Sequence, residues 1–315
     1  MYIGIDLGGT NIAVGLVDKN GKILATDSVP THKERAYIEI VADMAALAKK
    51  VTLAGGCALE DIKAVGIGCP GTIDTANGVV VYANNLKMDR APVAAEFQKH
   101  WNIPVYLEND ANAAAFGEYR MTAKDTDSFV FMTLGTGVGG GIVLNGRLWH
   151  GFNGAGAEIG HTSIVMDGEP CTCGMRGCLE SYASVTALIK QTKEAMEAHP
   201  DSAMHEWVAK KGKISGRTAF ECAKAGDAAA TAVRDRYIRY VAEGVNNLIN
   251  ILQPAVFAIG GGISKEGDTL LVPIREFVAK YNYNKHMPKT DIRIATLFND
   301  AGIIGAAFAA MAEQP

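Results

Sequence analysis

The sequence has no run of about eighteen apolar residues, the length that carries a helix across a bilayer, so no membrane span is expected. Its first residues, MYIGIDLGGT, lack the basic stretch and apolar core of a secretory signal and read as the first strand of a fold. Pro-rich linkers and low-complexity tracts are missing too. Charge is nearly balanced, with 30 Lys+Arg against 34 Asp+Glu, so the basic face of a nucleic-acid binder is not expected. None of the glycine clusters runs into GKS or GKT, which excludes a Walker loop. Cysteine is scarce at six residues, and in a chain without an export signal a disulfide framework is not expected. These absences leave a cytoplasmic globular protein as the expectation.

At 315 residues the chain exceeds what one hydrophobic core comfortably serves. Two α/β domains are expected. One spans residues 1–120, with a terminal helix over 300–315 packing back on it, and the other spans 121–299. The 35 glycines fall in clusters. GIDLGGTNIAVGLVDKNGKIL, from Gly4, and TLGTGVGGGIVLNGRLW, from Thr133, follow one plan: an apolar run, a Gly/Thr turn, a second apolar run, then Asn-Gly (Asn20-Gly21 and Asn145-Gly146). Asn-Gly favours a tight hairpin because both central residues take positive φ. The two copies read as a duplicated strand–turn–strand unit. Between and after them, strands are expected at Lys63–Gly68, Val105–Glu108, Ala255–Ile259 and Ile292–Ala295. Helices are expected at Val93–His100 and Ala111–Arg120, on one face through Tyr237, Tyr240, Val241, Gly244, Val245, Leu248 and Leu252, and after Asn299. Strands joined to helices in this order argue for a largely parallel core.

Asp6, Gly8, Gly9, Thr10 and Asn11 follow the first strand. Glycines there let backbone N–H groups approach phosphate, Thr10 adds a hydroxyl, and Asp6 is placed to hold magnesium. Gly135, Thr136 and Gly137 repeat the device; structural glycines at hairpin turns are the competing reading. Gly261 and Gly262, in a cluster after a strand, suit a flat ligand such as adenine. Asp110 ends a strand and opens a helix. It is either a helix cap or a general base for an alcohol, since carboxylates at strand C-termini face ligands in α/β sheets. His161, Cys171, Cys173 and Cys178 form H-x9-C-x-C-x4-C, four ligands of the kind tetrahedral zinc takes, with no open position for catalysis. Cys57, Cys69 and Cys222 read as buried small hydrophobes.

GIDLGGTN, GCPGTID, LENDANAAAFGE, TLGTGVGGGI, NGAGAEIGH and CTCGMRGCLES, in that order along essentially the whole chain, resemble the bacterial ROK family, and within it the glucokinases. The resemblance implies a two-lobed actin-like ATPase (ribonuclease H-like) fold with an interlobe cleft, ATP-dependent hexose kinase activity with Mg2+, a zinc staple, and a homodimer or homotetramer. It implies that Asp110 is the base acting on the primary hydroxyl. It makes Gly71, Asn85, Asn109, Glu158, His161 and Glu180 sugar contacts, with His161 offering its second ring nitrogen to a hydroxyl. It makes Gly8 to Asn11, Thr136 and Gly137 phosphate loops, and Gly261 and Gly262 the adenosine loop. Met88 departs from the Trp that many relatives carry after the NL pair, which leaves the sugar open among glucose, N-acetylmannosamine, N-acetylglucosamine, fructose and allose. The family also holds sugar-responsive repressors, which carry a winged helix ahead of the first strand; here that strand starts at Tyr2.

Overall fold

The computed structural model describes residues 1–314. The chain lays down β1 (Tyr2–Leu7), β2 (Asn11–Val17), β3 (Ile23–Pro30), α1 (Tyr37–Ala54), β4 (Ala64–Cys69), β5 (Thr72–Asp74), β6 (Val79–Ala83), β7 (Met88–Ala91), α2 (Val93–His100), β8 (Val105–Asn109) and α3 (Asp110–Thr122). It continues with β9 (Ser128–Leu134), β10 (Val138–Leu144), β11 (Arg147–Leu148), α4 (Glu180–Ala183), α5 (Val185–Ala198), α6 (Met204–Lys211), α7 (Thr218–Lys224), α8 (Ala228–Leu252), β12 (Val256–Gly260), α9 (Asp268–Tyr281), β13 (Asp291–Ile294) and α10 (Ala301–Ala312). Two compact units result. Unit 1 holds Met1–Ser128, Gly141–Ala157 and the residues from Thr296 onward; unit 2 holds Phe129–Gly140 and Glu158–Ala295.

The first sheet runs β3-β2-β1-β4-β8, an antiparallel meander continued by two parallel strands. The second runs β11-β10-β9-β12-β13, the same order built from the second copy, again with its last strands parallel. A small antiparallel sheet, β5-β6-β7, adds to unit 1.

Period-two alternation gives the first sheet two unlike faces. Ile3, Ile5, Leu7, Ile12, Val14, Leu16, Val65, Ile67 and Cys69 pack with α1 and α2 in one apolar core. The alternate positions include Gly4, Ala13, Gly15, Ala64, Gly66 and Gly68, and on this side Tyr2, Val17 and Ala64 cluster with Ile303, Ala307 and Ala310 of α10. The small residues let α10 lie almost directly on the backbone. A Cβ at Gly4 would fall on the carbonyl of Ile303, one at Gly66 on that of Ala306, and one at Gly305 on that of Ala113 in α3. In unit 2, α8 is the central helix; its Tyr237 is fully buried and donates to the Ala183 carbonyl at 2.8 Å.

Two local expectations are revised. Asn145 and Gly146 both have positive φ, at 52° and 74°, as a two-residue hairpin requires. At the first copy only Gly21 does, at 84°, because Asp18 widens the turn by accepting from the N–H groups of Asn20 and Lys22. The long helix begins at Ala228, well ahead of Tyr237, capped by Asp227 accepting from Ala230 N–H. Its first turns are alanine-rich, so no polar face marks them in the sequence. Met88, 2% exposed, belongs to the core of unit 1.

Gly66→Ala should destabilise unit 1 by about 3 kcal/mol, because the added methyl meets backbone and not a movable side chain. Urea titration of the purified variant measures this, and a midpoint equal to that of the parent would contradict the packing.

Candidate active site

In unit 1 the parallel strands present a row of functional side chains at their C-terminal ends. Asp6 on β1 lies opposite Gly68 on β4, and Gly68 opposite Glu108 on β8, which puts both acids on the α10 face. Asp110 follows at the first position of α3. Capping of α3 falls to Asn109, whose Oδ1 accepts from Ala111 N–H at 3.0 Å and Asn112 N–H at 3.1 Å. Asn109 also donates from Nδ2 to the carbonyl of Gly71 at 3.1 Å. Gly71 has φ 103°, and a side chain there would strike Tyr82, so only glycine fits. Burial raises the Asp110 carboxyl above its ordinary range, although Ala111 N–H donates to it at 2.8 Å. Burial pushes Asp6 up to about 6, and the charge of Asp110 adds to the shift.

The turn Gly8–Asn11 closes through Gly8 N–H to the Asn11 carbonyl at 2.9 Å. Thr31, wholly buried, braces it from behind: its N–H donates to the Thr10 carbonyl at 2.8 Å and its hydroxyl to that of Gly8 at 2.6 Å. Gly9 comes near Asn85, which sits exposed in the short 3-10 turn Asn84–Leu86.

Unit 2 holds the second turn. Gly135 N–H bonds to the Gly137 carbonyl at 3.0 Å, Thr186 Oγ1 donates to the Thr136 carbonyl at 2.7 Å, and Glu180 Oε2 accepts from Val138 N–H at 3.0 Å. Glu180 is therefore fastened to the foot of this turn by one carboxylate oxygen. Gly261, with φ 85°, presses on the backbone of Leu134 where β9 ends, and Gly262 opens the next 3-10 turn. Glu158 and His161 stand at the two ends of the turn Ile159–His161, joined by His161 N–H to the Glu158 carbonyl at 3.1 Å.

Among the described residues, the ligand atoms of His161, Cys171, Cys173 and Cys178 all lie within 4.8 Å of one another. His161 Nδ1 is 3.6 Å from Cys171 Sγ, and Cys173 Sγ is 3.7 Å from Cys178 Sγ. Tetrahedral zinc, with Zn–S near 2.3 Å and Zn–N near 2.0–2.1 Å, requires edges of about 3.6 Å for N···S and about 3.8 Å for S···S. The donor set and spacing fit zinc, with Nδ1 as the histidine ligand atom. Two bridges, Ser163 with Cys178 and Pro170 with Arg176, hold the loop that carries the cysteines.

Sequence reasoning passed over Thr31, and over Glu108 and His150. His150 Nε2 lies 2.7 Å from Glu108 Oε2, and Glu108 Oε1 accepts from Asn109 N–H at 2.8 Å and Asn112 Nδ2 at 3.1 Å. The bond to Glu108 raises the His150 imidazole above its ordinary value. Glu108 did lie within the LENDAN motif, but nothing in the sequence pairs it with a histidine far downstream.

Two sheets of the same strand order, each with a Gly/Thr turn after its leading strand, define the actin-like ATPase fold. The chain belongs to the ROK family, which it matches over residues 2–313. It is 38% identical to the glucokinase of Thermotoga maritima over 97% of this chain and 95% of that one. It is 37% identical to the glucokinase of Halalkalibacterium halodurans over 96% and 93%. The ROK family glucokinase of Streptomyces griseus, solved in complex with glucose and AMPPNP, superposes with a TM-score of 0.83 at 36% identity, covering 99% of each chain.

Two outcomes are expected. Because the folded pKa of Asp6 lies above its unfolded value, the native state binds the proton more tightly. The penalty for ionising Asp6 is thus complete above pH about 6 and gone below about 4. Asp6→Asn, free of nucleotide and magnesium, should be more stable than the parent by about 3 kcal/mol at pH 8, with the gain vanishing toward pH 4. Denaturation across that pH range reads it, and a gain that grows on acidification would refute it. Cys173→Ser should carry far less than the one zinc per chain expected of the parent and melt at lower temperature; elemental analysis with thermal melting checks both.

Proposed function

We propose that this protein transfers the γ-phosphoryl group of ATP to the primary hydroxyl of glucose, giving ADP and glucose 6-phosphate. The observation that carries the reading is Asp110. It is a carboxylate at the C-terminal end of a parallel strand, relieved of the capping role by Asn109 and raised toward neutrality by burial. An alcohol attacking phosphorus needs a base to take its proton, and a base works best when its pKa approaches the working pH. The near-full-length likeness to glucokinases supports both the reaction and the sugar.

On this reading Asp110 accepts the proton of the sugar hydroxyl while Gly71, Asn85 and Asn109 orient the ring. Asn109 has one Nδ2 hydrogen left for that purpose after its bond to Gly71. Glu158, His161 and Glu180 hold the remaining hydroxyls, His161 through Nε2, because Nδ1 faces the cysteine sulfurs that would share a zinc with it. The turns Gly8–Asn11 and Gly135–Gly137, each closed by the N–H of its first glycine, cradle the phosphates through the N–H groups that follow, and Gly261 and Gly262 lie against the adenosine. Magnesium suits Asp6, whose burial near Asp110 calls for a cation, and when bound it would offset charge on the transferred group. Zinc, with four protein ligands, shapes the sugar loop and stays out of the chemistry.

The reading also takes the protein as a cytoplasmic homodimer or homotetramer. Three thiolate ligands suit a reducing compartment. No helix among the described residues is long and apolar enough to cross a membrane. Ile251, Tyr283 and Met287 expose apolar surface where α8 and α9 end, a feature common at subunit contacts.

Asp110→Ala should fold and keep its zinc while losing about a hundredfold to ten-thousandfold in kcat on glucose. The assay couples ADP release to a panel of glucose, mannose, fructose, allose and the two N-acetylhexosamines. Near-normal turnover in the variant would sink the base. Turnover on an N-acetylhexosamine alone would keep the mechanism and change the sugar.

A further inference from the structure

Glu108 is 5% exposed and stands two residues ahead of the proposed base. A carboxylate that deep needs its oxygens occupied. Oε1 takes the Asn109 N–H and Asn112 Nδ2, while Oε2 faces His150 Nε2. Against a carboxylate, Nε2 must be the nitrogen that carries hydrogen, whatever the charge on the ring. The contacts of Asn109 extend the chain to the Gly71 carbonyl and to the first N–H groups of α3, where Asp110 sits. His150 also closes its own segment, its carbonyl accepting from Gly156 N–H at 2.8 Å. The segment tip, Phe152, is fully exposed.

We propose that His150 is a positioning residue for phosphoryl transfer: through Glu108 it fixes the turn carrying Asn109 and Asp110, and with it both the ring contact and the base. The inference rests on the sugar-kinase reading. Without the imidazole, Glu108 keeps its backbone-side bonds and loses the partner of Oε2. Its side chain must then turn toward water for a new partner, and it takes the Asn109 N–H and Asn112 with it. Displacement of a base by about 1 Å is enough to cost about a hundredfold in rate. The ATP-side turns at Gly8–Asn11 share none of these bonds, so nucleotide affinity has no reason to change.

The test compares the parent with His150→Phe, which keeps the ring and loses the bond, and His150→Gln, which restores a donor at similar reach. The whole chain is used, with kcat and the separate KM values for glucose and ATP as readouts. His150→Phe should lower kcat by about tenfold to a hundredfold and raise the glucose KM severalfold, with the ATP KM within about twofold of the parent. His150→Gln should recover most of both losses. A purely structural role would lower the active fraction and leave the glucose KM where it was. Values for His150→Phe within twofold of the parent would overturn the proposal, and so would equal impairment of the Gln variant. If His150→Phe does not fold, His150→Asn replaces it, since the shorter amide stays polar at a part-exposed site and cannot reach Glu108. A parent with no turnover on any hexose would instead bring down the kinase reading and this inference together. An active parent indifferent to these substitutions would bring down the inference alone.

Discussion

The approach of α10 to the backbone of β1 and β4 is the constraint on which unit 1 is built. A helix normally keeps its distance from a sheet because side chains fill the gap. Here Gly4, Gly66 and Gly305 remove them, and carbonyls of the helices take the space that Cβ atoms would need. Asp6 shares this face. Gly302 at the start of α10 abuts its carboxylate, which is why the acid is buried and why its proton is held so firmly. The same approach packs α10 on α3, the helix that begins with Asp110. Glu118, buried in the middle of α3, accepts from Thr296 N–H and Leu297 N–H and so fixes the entry to α10.

Polar groups at the end of β8 follow a different logic. Each is buried enough to need partners, and each partner holds the next. Asn109 caps, Glu108 ties the cap to Asn112 and His150, and Asp110 is left with only local backbone bonds. The catalytic candidate is therefore the member of the group with the fewest obligations to the fold. The cysteine cluster reaches the same end by other means: a metal, where it binds, replaces the many weak contacts that would otherwise be needed to define a glycine-rich loop.

Much of this was legible in the sequence, and the reason differs from part to part. His161 with the three cysteines was readable because metal ligands tolerate few substitutes and fall close together in the chain. The duplicated hairpin was readable because a Gly/Thr turn between apolar runs is local, and the equal strand order of the two sheets agrees with it. The start of α8 was hidden, since alanine suits a helix without declaring a face. Gly4 and Gly66 gave no sign of their role, because a glycine in a strand only weakens it until something is seen lying against it. The pairing of Glu108 with His150, and of Thr31 with the Gly8 turn, joins residues distant in sequence through folded geometry alone. Neither leaves a local pattern to read.

The order in which the ribosome delivers these parts gives the α10 contact a further consequence. The glycine-lined face of the first strands emerges long before α10, the helix that covers it. Until then the nascent chain carries an unroofed, apolar-edged sheet, and the contacts close between segments about three hundred residues apart in sequence. Unit 1 cannot mature as an independent amino-terminal fragment. Its completion waits on α10, and a chain released before that helix would keep this apolar surface uncovered.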